Sequence, residues 1–334
     1  MSGCASRWRG NDHHHHRCGG RPLVTQTPDR VHVNRLLVAS FLALALLLTP
    51  ALASAQELEP GAYWPIPTGL NILTVANNFN WGDVAFDPSA PIDEASARIN
   101  TTAFAFTRAF SLAGRSANAG VVLPVIGGHI EGLYLGEPAE VGRFGQGDPR
   151  LRLAMNLYGA PAMTPQQFAS YRHQTIVGVS VTVAPPIGQY DSTKLINLGT
   201  NRWSFKPEVG LSQAWGKWVV EAMAGVWFFT DNTDFVGGRT REQDPIVATQ
   251  VHVTYKFTRS MWLAGDANYF TGGQTTIGGK QNLDLQRNSR IGATFSSAIG
   301  RGQAIRMSVS RGAYTTIGAD FTSIGVGYNY AWAR

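Results

Sequence analysis

Beyond about residue 60 the chain alternates apolar and polar side chains with a period of two, and no other feature limits its fold so tightly. Successive side chains on a strand point to opposite faces, so such a run has one apolar and one polar face. In residues 202–212, Trp203, Phe205, Pro207, Val209 and Leu211 share one face, and Arg202, Ser204, Lys206, Glu208, Gly210 and Ser212 the other. Residues 150–158, 174–184, 217–228, 246–257 and 323–332 repeat the pattern. Less regular versions lie near 70–77, 99–106, 117–125, 261–270, 288–296 and 303–310. These runs predict about twelve strands, an even count that a single-chain membrane barrel allows.

Alternation suits a soluble sandwich as well as a barrel, because both have one apolar face per strand. Three further features favour the barrel. Aromatic residues gather near predicted strand ends (Trp203, Trp215, Trp218, Trp227, Phe228, Tyr255, Phe257 and Trp262), where a membrane interface accommodates a ring with one wet edge. Connections alternate between long (77–97, 126–147, 185–201, 230–244, 271–286) and tight (109–114, 214–216, 258–260, 299–302), as outer loops and periplasmic turns do. One connection, 159–173, is long on the short side, and its Thr164-Pro165-Gln166-Gln167 reads as a capped short helix. The last run, with Gly325, Tyr328, Tyr330 and Trp332, resembles the terminal-strand signal of the barrel-insertion machinery, although the chain ends in Arg334. The expected fold is therefore all-β: a transmembrane antiparallel β-barrel over residues 69–334.

Only one apolar run approaches the roughly 20 residues of a membrane-spanning helix, and the mean hydropathy is −0.09. That run, residues 36–55, follows Arg30 and Arg35 and ends in Ala53-Ser54-Ala55, which reads as a signal peptide (35–55) cleaved between Ala55 and Gln56. The preceding residues 1–34 read as a non-native upstream extension or a disordered leader, with the native start expected near Val31 or Val33. His13 to His16, Cys4 and Cys18 invite a metal reading but fall in this discarded part, so no metal or cofactor is expected. The leader takes six of the 28 basic residues and two of the 22 acidic ones, leaving a mature net charge of +2 and no cysteine. Nothing in that balance calls for nucleic acid. Residues 56–68, with Pro60, Pro65 and Pro67, are expected to form a periplasmic segment.

Several longer motifs carry a family resemblance. These are Gly147-Asp148-Pro149-Arg150, Asn156-Leu157-Tyr158-Gly159-Ala160-Pro161, Ala184-Pro185-Pro186-Ile187-Gly188-Gln189-Tyr190-Asp191, residues 194–203 (KLINLGTNRW), and Gly225-Val226-Trp227-Phe228-Phe229-Thr230-Asp231-Asn232. From about residue 60 to the end the sequence resembles the meta-pathway phenol-degradation transporter family. The resemblance implies an outer-membrane barrel that takes up aromatic or hydrophobic compounds, and it brings no agreed binding residues.

Candidate residues then follow from physics. An Arg or Lys facing lipid at the midplane costs roughly 2–4 kcal/mol, so charged residues on strands should face the lumen. The expected pore lining is Arg150, Arg152, Asn156, Lys206, Glu208, Lys217, Glu221, Gln250, His252, Lys256, Asp266, Arg290 and Arg306. They could orient a solute's polar group, or pair with one another (Arg152 or Lys206 with Glu208 or Glu221) and simply fill a narrow barrel. Asp87, Asp93, Glu94, Asp191, Asp231, Asp234 and Asp244 read as solvated loop acids rather than a cation site bridging lipopolysaccharide. The expected partners are outer-membrane lipid and lipopolysaccharide, the insertion machinery and a small hydrophobic or aromatic solute. Two other functions compete with passive uptake: a structural or adhesive barrel, and a barrel lipid hydrolase. For the hydrolase only His129, His173 and His252 remain as bases, and no G-x-S-x-G elbow is present.

Overall fold

The computed structural model describes residues 58–86 and 92–333. The leader, the Ala55–Gln56 junction, the histidine run, both cysteines and Asp87 lie outside them. In chain order the strands begin with β1 (Leu70–Ala85), β2 (Ile92–Leu112), β3 (Arg115–Tyr134), β4 (Glu137–Gln146) and β5 (Arg150–Tyr158). A short helix, α1 (Pro165–Ser170), precedes β6 (Ile176–Ala184), β7 (Ser204–Trp215) and β8 (Trp218–Phe229). Next come β9 (Asn232–Phe235), β10 (Arg239–Gln243), β11 (Ile246–Lys256) and β12 (Met261–Gly272). The chain ends with β13 (Thr275–Ile277), β14 (Lys280–Gln281), β15 (Gln286–Gly300), β16 (Gln303–Tyr314) and β17 (Gly318–Ala333).

All pairings in the wall are antiparallel, and β1 closes the ring on β17 with Leu70 opposite Ala333 and Ala85 opposite Gly318. β3 pairs with β4 through Val125 to Tyr134 and with β5 through Ala117 to Val122. β4 and β5 therefore share one strand position broken at 147–149, and the closed barrel has twelve positions. The alternation sets which face is which. Val209, Leu211, Val251, Val253, Ile324 and Val326 are exposed on the outer wall, while their neighbours Glu208, Ser212, Gln250, His252 and Thr254 are buried inside. A closed ring leaves no unpaired backbone edge, which is what lets a sheet sit in lipid.

Both termini of the wall, Leu70 and Ala333, lie at one end, called here the turn end. Its hairpins are tight: Ala113 and Gly114 have φ of 49° and 73°, the doubly left-handed geometry of a two-residue turn that matches strand twist. Helix α1 packs at this end with the expected capping box between Thr164 and Gln167. Two connections expected to be long loops, 77–97 and 126–147, are mostly strand. β1 and β2 run on to residues 85 and 92, and 126–147 is a hairpin turned at Leu135-Gly136, with φ of 52° and 81°. At the opposite, loop end, β14, β13, β10 and β9 form a separate four-stranded sheet out of the connections expected at 230–244 and 271–286.

Three placements correct the sequence reading. Trp227 and Trp262 are not in an interfacial belt: they occupy the inner phase of their strands, buried beneath Lys206 and Arg306. Lys217 sits exposed in the turn between β7 and β8, with its ammonium 5.9 Å from the Tyr255 ring, and not in the lumen. The described part of the expected periplasmic segment, residues 58–68, runs inside the barrel, because its polar backbone finds partners on the inner wall.

Candidate functional site: the barrel lumen

The inner wall has two unlike sides. On β5 to β12 the inward residues form a band of charge and amide. Glu208 lies 3.1 Å from Lys206 Nζ and 3.8 Å from Arg152 Nη2. His252 and Asp266 are directly cross-strand, with Nδ1 2.6 Å from Oδ1, and the other Asp266 oxygen accepts from Thr294 Oγ1 at 2.7 Å. On β15, Arg290 donates to Ser310, Ser323 and the Phe321 carbonyl. Arg306 on β16 faces the Trp262 ring at 5.3 Å and remains exposed, so water reaches that part of the interior. Arg150 is half-buried on the same inward phase as Arg152.

On the β1–β4 side the loop-end part of the inner wall is apolar, while β1 turns Thr74, Asn78 and Asn80 inward nearer the middle. Val84, Ala95, Ala97, Ile99, Ala319 and Phe321 form a buried cluster joined by Ile126 and Ile130. Between this wall and the 185–203 connection lies a recess lined by Ile99, Ile126, Ile130, Val141, Ile196 and Leu198. The only charged residue on its rim is Arg143, whose guanidinium is committed to the Ile196 and Gly142 carbonyls.

The N-terminal segment crosses the charged side. Backbone N–H groups of Glu59 and Gly61 donate to Gln250 Oε1 (3.1 Å) and Glu221 Oε2 (2.9 Å). The Tyr63 carbonyl accepts from Asn156 Nδ2, and its hydroxyl meets Ser180 Oγ and Glu208 Oε1, each at 3.0 Å. Arg152 lies 5.2 Å from the Tyr63 ring. Trp64 rests against Trp262 and His173, with the Lys256 ammonium 4.0 Å from its centroid. Six of the expected lining residues (Arg152, Asn156, Glu208, Glu221, Gln250 and Lys256) thus hold this segment. Sequence reasoning missed the slot that seats Tyr63. Gly178 and Gly210 are paired across β6 and β7, and a Cβ on either would come within 2.2 Å of the ring. A glycine inside an alternating strand is the available signal, since it marks close approach by another group.

Below that slot, His173 Nε2 is 3.0 Å from Ser212 Oγ in the turn-end connection. Burial, and behind it the Lys256 ammonium, push this imidazole down to about 4. A serine therefore contacts His173 and an acid contacts His252, and among the described residues no histidine has both. No group of three or more His, Cys, Asp or Glu side chains among the described residues could hold a metal ion. Asp93 and Glu94 fall within β2, and Asp234 within β9. Asp191 is held by its own loop, through Lys194 Nζ at 2.9 Å and both donors of Thr193, and these contacts keep its carboxyl well below the usual carboxylate range.

Four of the five motifs that carry the family resemblance meet at the loop end, while 156–161 lies at the turn end against Gly114 to Ser116. Asp148 bridges the break between β4 and β5 to the 185–203 connection, accepting from Gly188 N (2.8 Å), Thr200 N (2.7 Å) and Thr200 Oγ1 (2.7 Å). Asn232 ties in the fourth motif, receiving Asn201 Nδ2 and donating to Tyr190 Oη and the Thr200 carbonyl.

The fold recurs in solved structures. An outer membrane channel from Pseudomonas putida F1 is 21 % identical, with a TM-score of 0.70, over 83 % of this chain and 100 % of that one. The transport unit of the autotransporter AIDA-I from Escherichia coli is 8 % identical, with a TM-score of 0.50, over 89 % of this chain and 97 % of that one. At these identities the likeness is one of fold. No curated protein matches the sequence. The family model described as "Putative MetA-pathway of phenol degradation" matches residues 84–330, the whole wall from the end of β1 to β17, and the chain belongs to that family.

Proposed function

We propose that this protein is a bacterial outer-membrane channel for passive uptake of small aromatic or otherwise hydrophobic solutes. One observation carries the reading: the two-sided inner wall. A solute with an apolar body and one polar end finds apolar side chains on the inner phase of β2–β4 and charges and amides on that of β5–β12. Ligand sites of this kind are mostly apolar, with a few fixed polar groups that set orientation. The solute class agrees with the family's association with phenol degradation. In this reading the apolar run at 36–48 directs export, cleavage follows Ala55, and the outward aromatic residues of β17 are read during insertion. The inward polar residues line the route, and six of them (four charged, two amides) also hold residues 58–68, which must shift for a solute to pass.

The hydrolase alternative has less support, because the serine and acid contacts fall on different histidines, both in the interior. The test compares uptake of a radiolabelled neutral monoaromatic solute, at low external concentration, by cells that carry or lack the chain. Its loss should lower the initial rate several-fold. Equal rates would remove the transport reading and leave a structural barrel.

A further inference from the structure

The wall, and not the N-terminal segment, supplies the place where the Tyr63 side chain sits. Gly178 and Gly210 are paired across β6 and β7, and the next inward pair along the same two strands is Ser180 and Glu208. The glycine pair makes room for a flat ring, since a Cβ on either would stand 2.2 Å from a Tyr63 ring carbon. The polar pair takes the far end of that ring: the hydroxyl lies 3.0 Å from Ser180 Oγ and donates to Glu208 Oε1 at 3.0 Å. The Arg152 guanidinium stands 5.2 Å from the ring centroid, within reach of a cation–π contact. Tyr63 is 2 % exposed, and Ser180 and Glu208 are buried with it. A mere anchor for the segment needs only the ring. Here two buried polar groups are matched to a hydroxyl, and a ring without one forfeits both contacts. Residues 58–68 add no strand to the wall, so the slot exists whether or not the segment fills it.

We infer that this slot is a binding site for phenols, aromatic rings bearing a hydroxyl that can donate, and that Tyr63 is its resident ligand. A phenolic solute takes the place of the Tyr63 side chain, with its ring over Gly178 and Gly210 and its hydroxyl on Ser180 and Glu208. It binds only where the segment has let go, and that differential affinity favours the released segment. For the arrival of a solute the inference rests on the channel reading above; the fit of a phenol to the slot does not need it.

The test follows 4-fluorophenol by fluorine NMR line broadening with the purified chain in detergent. The controls are 4-fluoroanisole, which has no donor, and 4-fluorotoluene, which has no oxygen. Tyr63→Ala removes the resident ring and should bind 4-fluorophenol saturably, about tenfold or more tighter than the native chain, where a tethered tyrosine competes. In that variant both controls should bind about tenfold or more weakly than 4-fluorophenol, and a further Gly210→Val should abolish binding. In the native chain, 4-fluorophenol at high concentration should speed amide exchange at Glu59 and Gly61 several-fold, and 4-fluorotoluene should not. No saturable binding by Tyr63→Ala, equal binding of all three rings, or binding that survives Gly210→Val overturns the proposal. So does exchange in the native chain that 4-fluorophenol leaves unchanged, which would make the slot an anchor for Tyr63 alone. That measurement decides by itself if the variants do not fold. Chain-dependent uptake of toluene beside failed phenol binding would sink this site and leave the channel reading standing. Phenol binding in the slot, with uptake indifferent to the chain, would do the reverse.

Discussion

Glu208 accepts the Tyr63 hydroxyl and has two cations, Lys206 and Arg152, within 3.8 Å. Glu208 and Lys206 are both almost fully buried, so neutralising the acid leaves a cation in low dielectric without its partner. Removing one member of a buried pair costs about 3–5 kcal/mol. Glu208→Gln should lower the urea midpoint of the detergent-folded barrel accordingly, and Glu208→Gln with Lys206→Met should recover much of the loss. Similar midpoints for the single and double variants would mean that the pair is not coupled. His173 gives a pH dependence of known sign. Its folded imidazole resists protonation down to about 4 against an ordinary value of 6.5, so the unfolded chain binds the extra proton between those limits. The stability it contributes is full above pH 6.5 and is lost as pH falls toward 4. Thermal melts across that window should show a steeper acid decline for the native chain than for His173→Gln. The inward charges were legible from alternation, because lipid excludes them from the other face. Ser180, Gly178 and Gly210 were not: the two glycines signal a close approach from the lumen, but nothing in a small neutral residue says that the approaching group is a tyrosine ring.

At the scale of elements, strand identity followed from the period of two, but strand length did not. β1–β3 run past the runs read from the sequence, and their outward residues mix polar with apolar (Asn77 hydrogen-bonds to Asn100 and Thr102 beside exposed Phe79), which blurs the lipid-facing signal. The Leu135-Gly136 turn lacked the usual Asn or Asp before its glycine, so a hairpin read as a loop. The N-terminal segment has no periodicity, and only the slot that accepts it assigns its place. Gly178→Val should push out Tyr63 and loosen residues 58–68. Faster hydrogen exchange at Glu59 and Gly61, with exchange in β6 and β7 unchanged, would be the sign. Asp148→Ala removes three acceptor contacts from the loop-end knot and should speed exchange over 186–202 while leaving the wall intact. Unchanged exchange would mean that the motif glycines alone hold that connection.

For the whole molecule, the number of strands and the closure of the ring were readable, because twelve half-apolar strands in lipid can satisfy their backbones only by closing. The two-sidedness of the lumen was not: a strand with small or apolar residues on its inner phase, such as β2 with Ala95, Ala97 and Ile99, loses the contrast that alternation depends on. The barrel is a conduit whose charged side is occupied by residues 58–68. The most direct test is single-channel conductance in planar bilayers of the mature chain beside a variant lacking residues 58–68. Small or infrequent steps are expected for the intact chain and larger, salt-dependent steps for the variant, since β1 begins at Leu70 and the wall closes without the segment. Equal conductance of the two proteins would contradict it.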